Sequence, residues 1–258
     1  MGERTSYAPG TFCWTDLNTT DQAAAKSFYA DLFGWTAEDI PVGDDVVYSM
    51  QTIGGKNVAA ISPQPRQQRE AGAPPTWNSY VAVKSADAAL ERARELGGSV
   101  HADAFDVFDS GRMGVVQDPQ GAFFMVWEAR DHHGASLVNQ HGALTWNELY
   151  SRDLDGSASF YSDLFGWRME EMEGMPMPYR TIQTAAGASN GGMTTMEGVP
   201  PVWLVYFGTD DIDASVAKLT ELGGEVRMGP MDIGVGKIAV AVDPQEAVFA
   251  LYAGRLDD

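Results

Sequence analysis

Between Phe12 and Leu17 apolar and polar side chains alternate, and the same rhythm returns between Leu144 and Leu149. A period of two marks a half-buried strand, and it sets Phe12, Trp14 and Asp16 on one face. Behind the first strand the spacing changes to that of a helix, with Phe28, Tyr29, Leu32 and Phe33 on one buried stripe. Asp21 and Asp153 stand where helix starts need a hydrogen-bond acceptor. Gly34, Gly97, Gly166 and Gly223 stand where helix ends need a residue that tolerates positive φ. Further strands follow, VVYSMQTI then NVAAI, and MGVVQ then AFFMVWE, the latter two joined across the DPQG turn at 118–121.

This order occurs more than once. Displaced by 132 residues, Trp14 falls on Trp146, Phe28-Tyr29 on Phe160-Tyr161, and Leu32 to Trp35 on Leu164 to Trp167. The same displacement sets Tyr48 on Arg180 and Gln51-Thr52 on Gln183-Thr184. A second displacement, of 126, sets Trp77 on Trp203 and the ELGG at 95–98 on that at 221–224. One residue is then lost, and Asp118-Pro119-Gln120 meets Asp243-Pro244-Gln245. Such self-similarity is the signature of internal duplication. Polar, Pro-rich Ser62 to Pro75 and the dipeptide Pro200-Pro201 divide modules, and 130–141 divides the halves. The expected architecture is α+β: four βαβββ modules paired into two curved-sheet, half-barrel domains with helices outside. The first domain spans 8–129 (modules 8–62 and 76–129), the linker 130–141, and the second domain 142–255 (modules 142–197 and 202–255).

Composition narrows the function classes. An apolar fraction of 44% supports a core, and no apolar run of membrane-spanning length occurs. A net charge of −19 repels phosphates and anionic lipid, so neither nucleic acid nor membrane is an expected partner. Cys13 is the single cysteine, which excludes an internal disulfide and a zinc knuckle. The opening MGERTSYAPG lacks the basic and apolar regions of a secretory signal, so a cytoplasmic location is expected. No P-loop, nucleophile elbow or dinucleotide fingerprint occurs, and Gly234-Val235-Gly236 reads as a turn.

The WxDL or WxEL first strand, the FYxDLFGW helix end, the ELGG helix stop and the DPQ turn resemble the vicinal oxygen chelate superfamily over almost the whole chain. That group includes glyoxalase I, bleomycin-resistance proteins and extradiol dioxygenases. The resemblance implies that paired modules form cups that hold a ligand and, in the enzymes, a divalent metal. Its metal-ligand positions carry over onto Trp14, Asn78, Trp146 and Leu204 on first strands, and near Ala59, Met125, Gly191 and Ala250 on last strands. None is a strong nitrogen or carboxylate donor, so no metal or other cofactor is expected. His101, His132, His133 and His141 read as solvated loop side chains, since no HExxH motif or Cys/His cluster accompanies them.

In place of a metal, the cups are expected to present aromatic surface. Phe12, Trp14, Asn78, Tyr80, Phe123, Met125 and Trp127 are candidate lining residues of the first cup, and Leu144, Trp146, Tyr206 and Tyr252 of the second. Asp16 and Glu148 are the duplicated carboxylates: candidate acid–base groups, or plain structural acceptors. Arg180 is a candidate partner for Glu148 or for an anionic ligand. Trp35 and Trp167 read as staples of helix to sheet. Three functions remain open: metal-independent binding of a small organic molecule; an enzyme of the same fold, either a metal-free lyase, isomerase or tailoring enzyme using Asp16 or Glu148 for proton transfer or a glyoxalase-like one with another metal arrangement; and an interaction protein whose cups are filled by side chains. Four modules suit either a monomer or a homodimer.

Overall fold

The computed structural model describes residues 2–43, 46–175 and 177–255. Its elements repeat in order. The first half runs β1 (Phe12–Thr19), α1 (Gln22–Phe33), β2 (Thr36–Pro41), β3 (Val47–Ile53), β4 (Lys56–Pro63), the short α2 (Arg66–Glu70), β5 (Thr76–Ala82), α3 (Ala86–Glu95), β6 (Ser99–Val107), β7 (Gly111–Gln117) and β8 (Phe123–Ala129). The second half runs β9 (Leu144–Tyr150), α4 (Leu154–Phe165), β10 (Arg168–Glu171), β11 (Tyr179–Gln183), β12 (Ser189–Thr194), β13 (Val202–Gly208), α5 (Ile212–Glu221), β14 (Glu225–Asp232), β15 (Gly236–Val242) and β16 (Val248–Gly254). The Asp21 and Asp153 side chains accept the amides of Ala24 and Gly156, as their positions predict. Gly34 and Gly166 end their helices in the left-handed region, at φ 72° and 73°.

Each half forms one eight-stranded curved sheet, in the orders β2-β3-β4-β1-β5-β8-β7-β6 and β10-β11-β12-β9-β13-β16-β15-β14. The two first strands of each half lie antiparallel at the centre, β1 against β5 and β9 against β13. Helix α1 packs on the sheet face that carries Trp77, through Tyr29 at 5.3 Å between ring centroids. The same helix also meets the other half, with Phe33 5.3 Å from Phe207 and Tyr29 5.6 Å from Phe249. Helix α4 mirrors it between Trp203 and Phe124. These two helices are therefore a shared layer between the sheets, and the opposite face of each sheet points away from it.

Polar bonds lock that layer in reciprocal pairs. Trp77 donates to the Tyr29 hydroxyl, which donates to Asp243 on the β15–β16 turn of the other half. Trp203, Tyr161 and Asp118 repeat the chain in the opposite direction. Trp35 Nε1 donates to the Gly142 carbonyl at 2.8 Å, and Trp167 Nε1 to the Gly10 carbonyl at 2.6 Å. The FYxDLFGW repeat thus fastens half to half, whereas the sequence suggested a staple within each half.

The alternation of β1 is broken. A bulge between Phe12 and Trp14, matched between Leu144 and Trp146, adds a residue and reverses the facing of what precedes it. Phe12 consequently leaves the face of Trp14 and packs against Trp167 and Trp203 at 5.4 and 4.9 Å. Leu144 likewise joins the core that contains Phe33 and Phe207. Among the described residues no helix is long and apolar enough to cross a membrane.

Candidate functional site

On the outward face of the first sheet, register places Trp14 beside Tyr80, and Asp16 beside Asn78 and Ala60. Asp16 is 4% exposed and fully bonded. One carboxylate oxygen accepts from Asn78 Nδ2 at 2.8 Å, and the other from the hydroxyls of Tyr80 at 2.8 Å and Tyr48 at 3.0 Å. The Tyr48 oxygen in turn accepts from Trp14 Nε1 at 3.0 Å. Burial pushes the Asp16 carboxyl above the usual carboxylate range, and the bonds from Asn78, Tyr80 and Tyr48 oppose that rise. The same burial, with the Asp16 charge alongside, raises both phenols well above their ordinary value.

The second half rebuilds the arrangement with different parts. Glu148 accepts from the Tyr206 hydroxyl at 2.9 Å, and Trp146 Nε1 donates to the Tyr179 hydroxyl at 3.3 Å. Burial raises the Glu148 carboxyl, against hydrogen bonds from Tyr179, Tyr206 and Tyr150. Leu204 takes the place of Asn78 in the register. Tyr179, rather than Arg180, is the counterpart of Tyr48. Met50 lies opposite Ala60, and Thr181 lies opposite Gly192, so β11 corresponds to β3 by 131 residues and not 132. A slip of one residue turns every side chain of a strand to the other face. Arg180 therefore does not meet Glu148; it pairs with Asp155 at 2.7 Å and Glu171 at 3.1 Å. Gly192 lets the Tyr179 hydroxyl sit where it does, because a Cβ at that position would overlap it.

The other candidates spread over the same two faces. Met125 lies beside Tyr80, and the indole of Trp127 donates to the His132 carbonyl at 2.9 Å. Tyr252 packs against the Tyr150, Leu204 and Tyr206 cluster and donates to the Val235 carbonyl at 2.9 Å. Phe123 stands exposed against His101. His132 is not a solvated loop residue: its ring meets the Trp14 indole edge-on at 4.6 Å, and its Nε2 is buried. His133 Nε2 donates to the Arg4 carbonyl at 3.1 Å, and His141 packs edge-on against Phe33. Sequence reasoning also passed over Tyr150 and Tyr179, whose one signal was a tyrosine two residues beyond Glu148 and one beside Arg180.

A cavity of about 610 Å³ opens at the rim of the second sheet, among Ser151, Arg152, Thr195, Met196, Glu197 and Val199. A smaller one, of about 140 Å³, lies beside Met172, Tyr179 and Arg180. The donor set does not fit the divalent metal that the resemblance implies. The residues on the outward face at the ligand positions are Trp14, Asn78, Ala60 and Met125 in the first half, and Trp146, Leu204, Gly192 and Ala250 in the second. Among the described residues no three His, Cys, Asp or Glu side chains come together.

The model of the Glyoxalase/Bleomycin resistance protein/Dioxygenase superfamily matches residues 11–126 and again 143–251. The chain belongs to this superfamily. The Mycobacterium tuberculosis (strain CDC 1551 / Oshkosh) protein named Putative glyoxylase CFP32 is 45% identical over 255 residues, 97% of each chain. Anthracycline biosynthesis protein DauV of Streptomyces sp. (strain C5) is 34% identical over 263 residues, covering 97% of this chain and 96% of its own. Among solved structures, a Mn(II)-bound glyoxalase from Novosphingobium aromaticivorans superposes with a TM-score of 0.66 at 16% identity, over 95% of this chain and 82% of that one. Homoprotocatechuate 2,3-dioxygenase from Brevibacterium fuscum superposes at 0.67 and 18% identity, over 98% and 74%. At that distance the likeness is one of fold.

Proposed function

We propose that this superfamily member binds a flat, largely apolar organic molecule without the help of a metal ion. The Trp–Tyr–carboxyl chain built twice on the outward faces carries this reading. In the second half the partly exposed Trp146 indole offers a stacking surface beside the phenols around Glu148, whereas in the first the Trp14 indole is already covered by the His132 ring. The name of the Streptomyces relative supports a polycyclic aromatic as the first ligand to try. Titration with an anthracycline aglycone, followed by tryptophan fluorescence, tests it. Saturable quenching that survives exhaustive chelation is the expected result; quenching that needs added zinc, nickel, iron or manganese rules the metal-free reading out.

A second reading has one observation behind it. Burial raises both carboxyl groups above the usual carboxylate range, the direction a proton-exchanging group needs. Turnover of such an aromatic, lost in Asp16→Asn or Glu148→Gln while binding persists, is the result that would favour an enzyme.

A further inference from the structure

The two halves are internal controls for each other, and they differ at the mouth of the cup. In the first half the segment between the sheets folds back over the floor. Ala135 N–H donates to the Cys13 carbonyl at 2.8 Å, and Ser136 N–H to the Asn57 carbonyl at 2.7 Å. Gly134 makes the approach possible, at φ 116° and with no room for a Cβ against the Cys13 carbonyl. His132 is thereby set between Trp14 and Trp127, with centroids 4.6 and 5.8 Å away. Trp14 is left 3% exposed. Gln64 Nε2 ties together the ends of the connection carrying α2 by donating to the carbonyls of Ala73 and Pro74.

In the second half Trp146 packs on the cluster of Tyr150, Leu204 and Tyr206 but is only half-buried. The connection from β12 to β13 is shorter, and there the cavity of about 610 Å³ opens. Two of its lining residues, Met196 and Val199, also touch the cluster of Tyr150, Leu204 and Tyr206 on the cup floor. Met196 and Val199 therefore stand between the opening and the buried floor around Glu148.

We infer that ligand binding is confined to the second cup, entered past Met196 and Val199, while the first cup is filled by the chain's own His132. The ligand is a flat aromatic with a hydrogen-bonding edge that meets the phenols around Glu148. This rests on the binding reading above in its choice of ligand, and on geometry alone in its choice of cup.

The test uses the whole chain and alizarin sulfonate, a soluble hydroxyanthraquinone, titrated by calorimetry. One site per chain is expected. Val199→Trp or Met196→Trp, checked by circular dichroism for an unchanged fold, should weaken it at least tenfold. His132→Ala should add a second site. Hydroxyl-radical footprinting reads the same asymmetry with no ligand present: Trp146 should oxidise at least fivefold faster than Trp14, and His132→Ala should narrow the gap. Two sites in the unaltered protein, one site indifferent to both rim variants, or equal oxidation of the two tryptophans overturns the inference while leaving the binding reading standing. No site in any variant overturns both.

Discussion

The Tyr29 hydroxyl donates to the Asp243 carboxylate at 3.1 Å, joining a helix of the first half to a turn of the second. The other Asp243 oxygen accepts the amides of Gln245 and Ala247, so one carboxylate both shapes the turn and receives the strap. Tyr161 and Asp118 form the mirror bond at 2.9 Å. Tyr29→Phe leaves the ring in place but strips Trp77 Nε1 of its acceptor and Asp243 of a donor, both in buried surroundings. The expected cost is about 1–3 kcal/mol, the scale of a buried polar group left unpaired. Tyr161→Phe should cost a similar amount. Urea unfolding measures both; a loss under about 0.5 kcal/mol for each would show that the straps do not hold the halves together.

Gly192 and Ala60 offer a test of how the second cup is built. Gly192→Ala must push the Tyr179 hydroxyl away from Glu148, whereas the first half already carries Ala60 beside Tyr48. The substitution should destabilise by about 1–3 kcal/mol through overpacking. The Trp146 emission should change with it, because its indole bonds to the same hydroxyl. An unchanged spectrum and melting temperature would contradict the placement of Tyr179.

Stability should fall with rising pH on account of Asp16 and Glu148. Both folded pKa values are raised by burial, so the native state holds these protons where the unfolded chain has released them. Their contribution is full below the unfolded value, about 4, and is lost as pH rises through the raised folded value. Asp16→Asn and Glu148→Gln should each flatten the slope of unfolding free energy against pH on the alkaline side of about pH 4. A slope identical to that of the unaltered protein would mean that neither carboxyl is held protonated.

His132 pulls the other way. Burial, with His133 nearby, lowers its pKa to about 4. The unfolded imidazole takes its proton near pH 6.5, so stability is complete above that value and is lost as pH falls toward about 4. The loss amounts to about 3 kcal/mol at most. His132→Leu removes this acid sensitivity and also a buried Nε2 that has no hydrogen-bond partner among the described residues. Unfolding at pH 5 and pH 7.5 separates the cases: the variant should gain relative to the unaltered protein at pH 5. No relative gain would place His132 in solvent.

The modules were legible because they are set by local chemistry. Alternation, helix spacing, Asp caps and Gly stops act within a few residues, and duplication printed each signal more than once. The shared face of Trp14 and Asp16 was legible for the same reason. What the sequence alone misplaced depends on contacts between distant segments. A bulge opposite β5 turned Phe12 away from the cup, and no pattern within β1 announces it. Arg180 was matched to Tyr48 because a gapless displacement fits the letters, but strand pairing with β12 chose the neighbouring register and brought Tyr179 to Glu148. Trp35 and Trp167 look like helix-end staples in one dimension; their partners, the carbonyls of Gly142 and Gly10, lie in the opposite half. His132 sits in a polar stretch that reads as solvated, yet backbone bonds from Ala135 and Ser136 carry that stretch over Trp14. Local propensity determines which elements form. Only the packing of one half on the other decides which side chains those elements bring together, because a burial or a hydrogen bond between distant residues leaves no period in the chain.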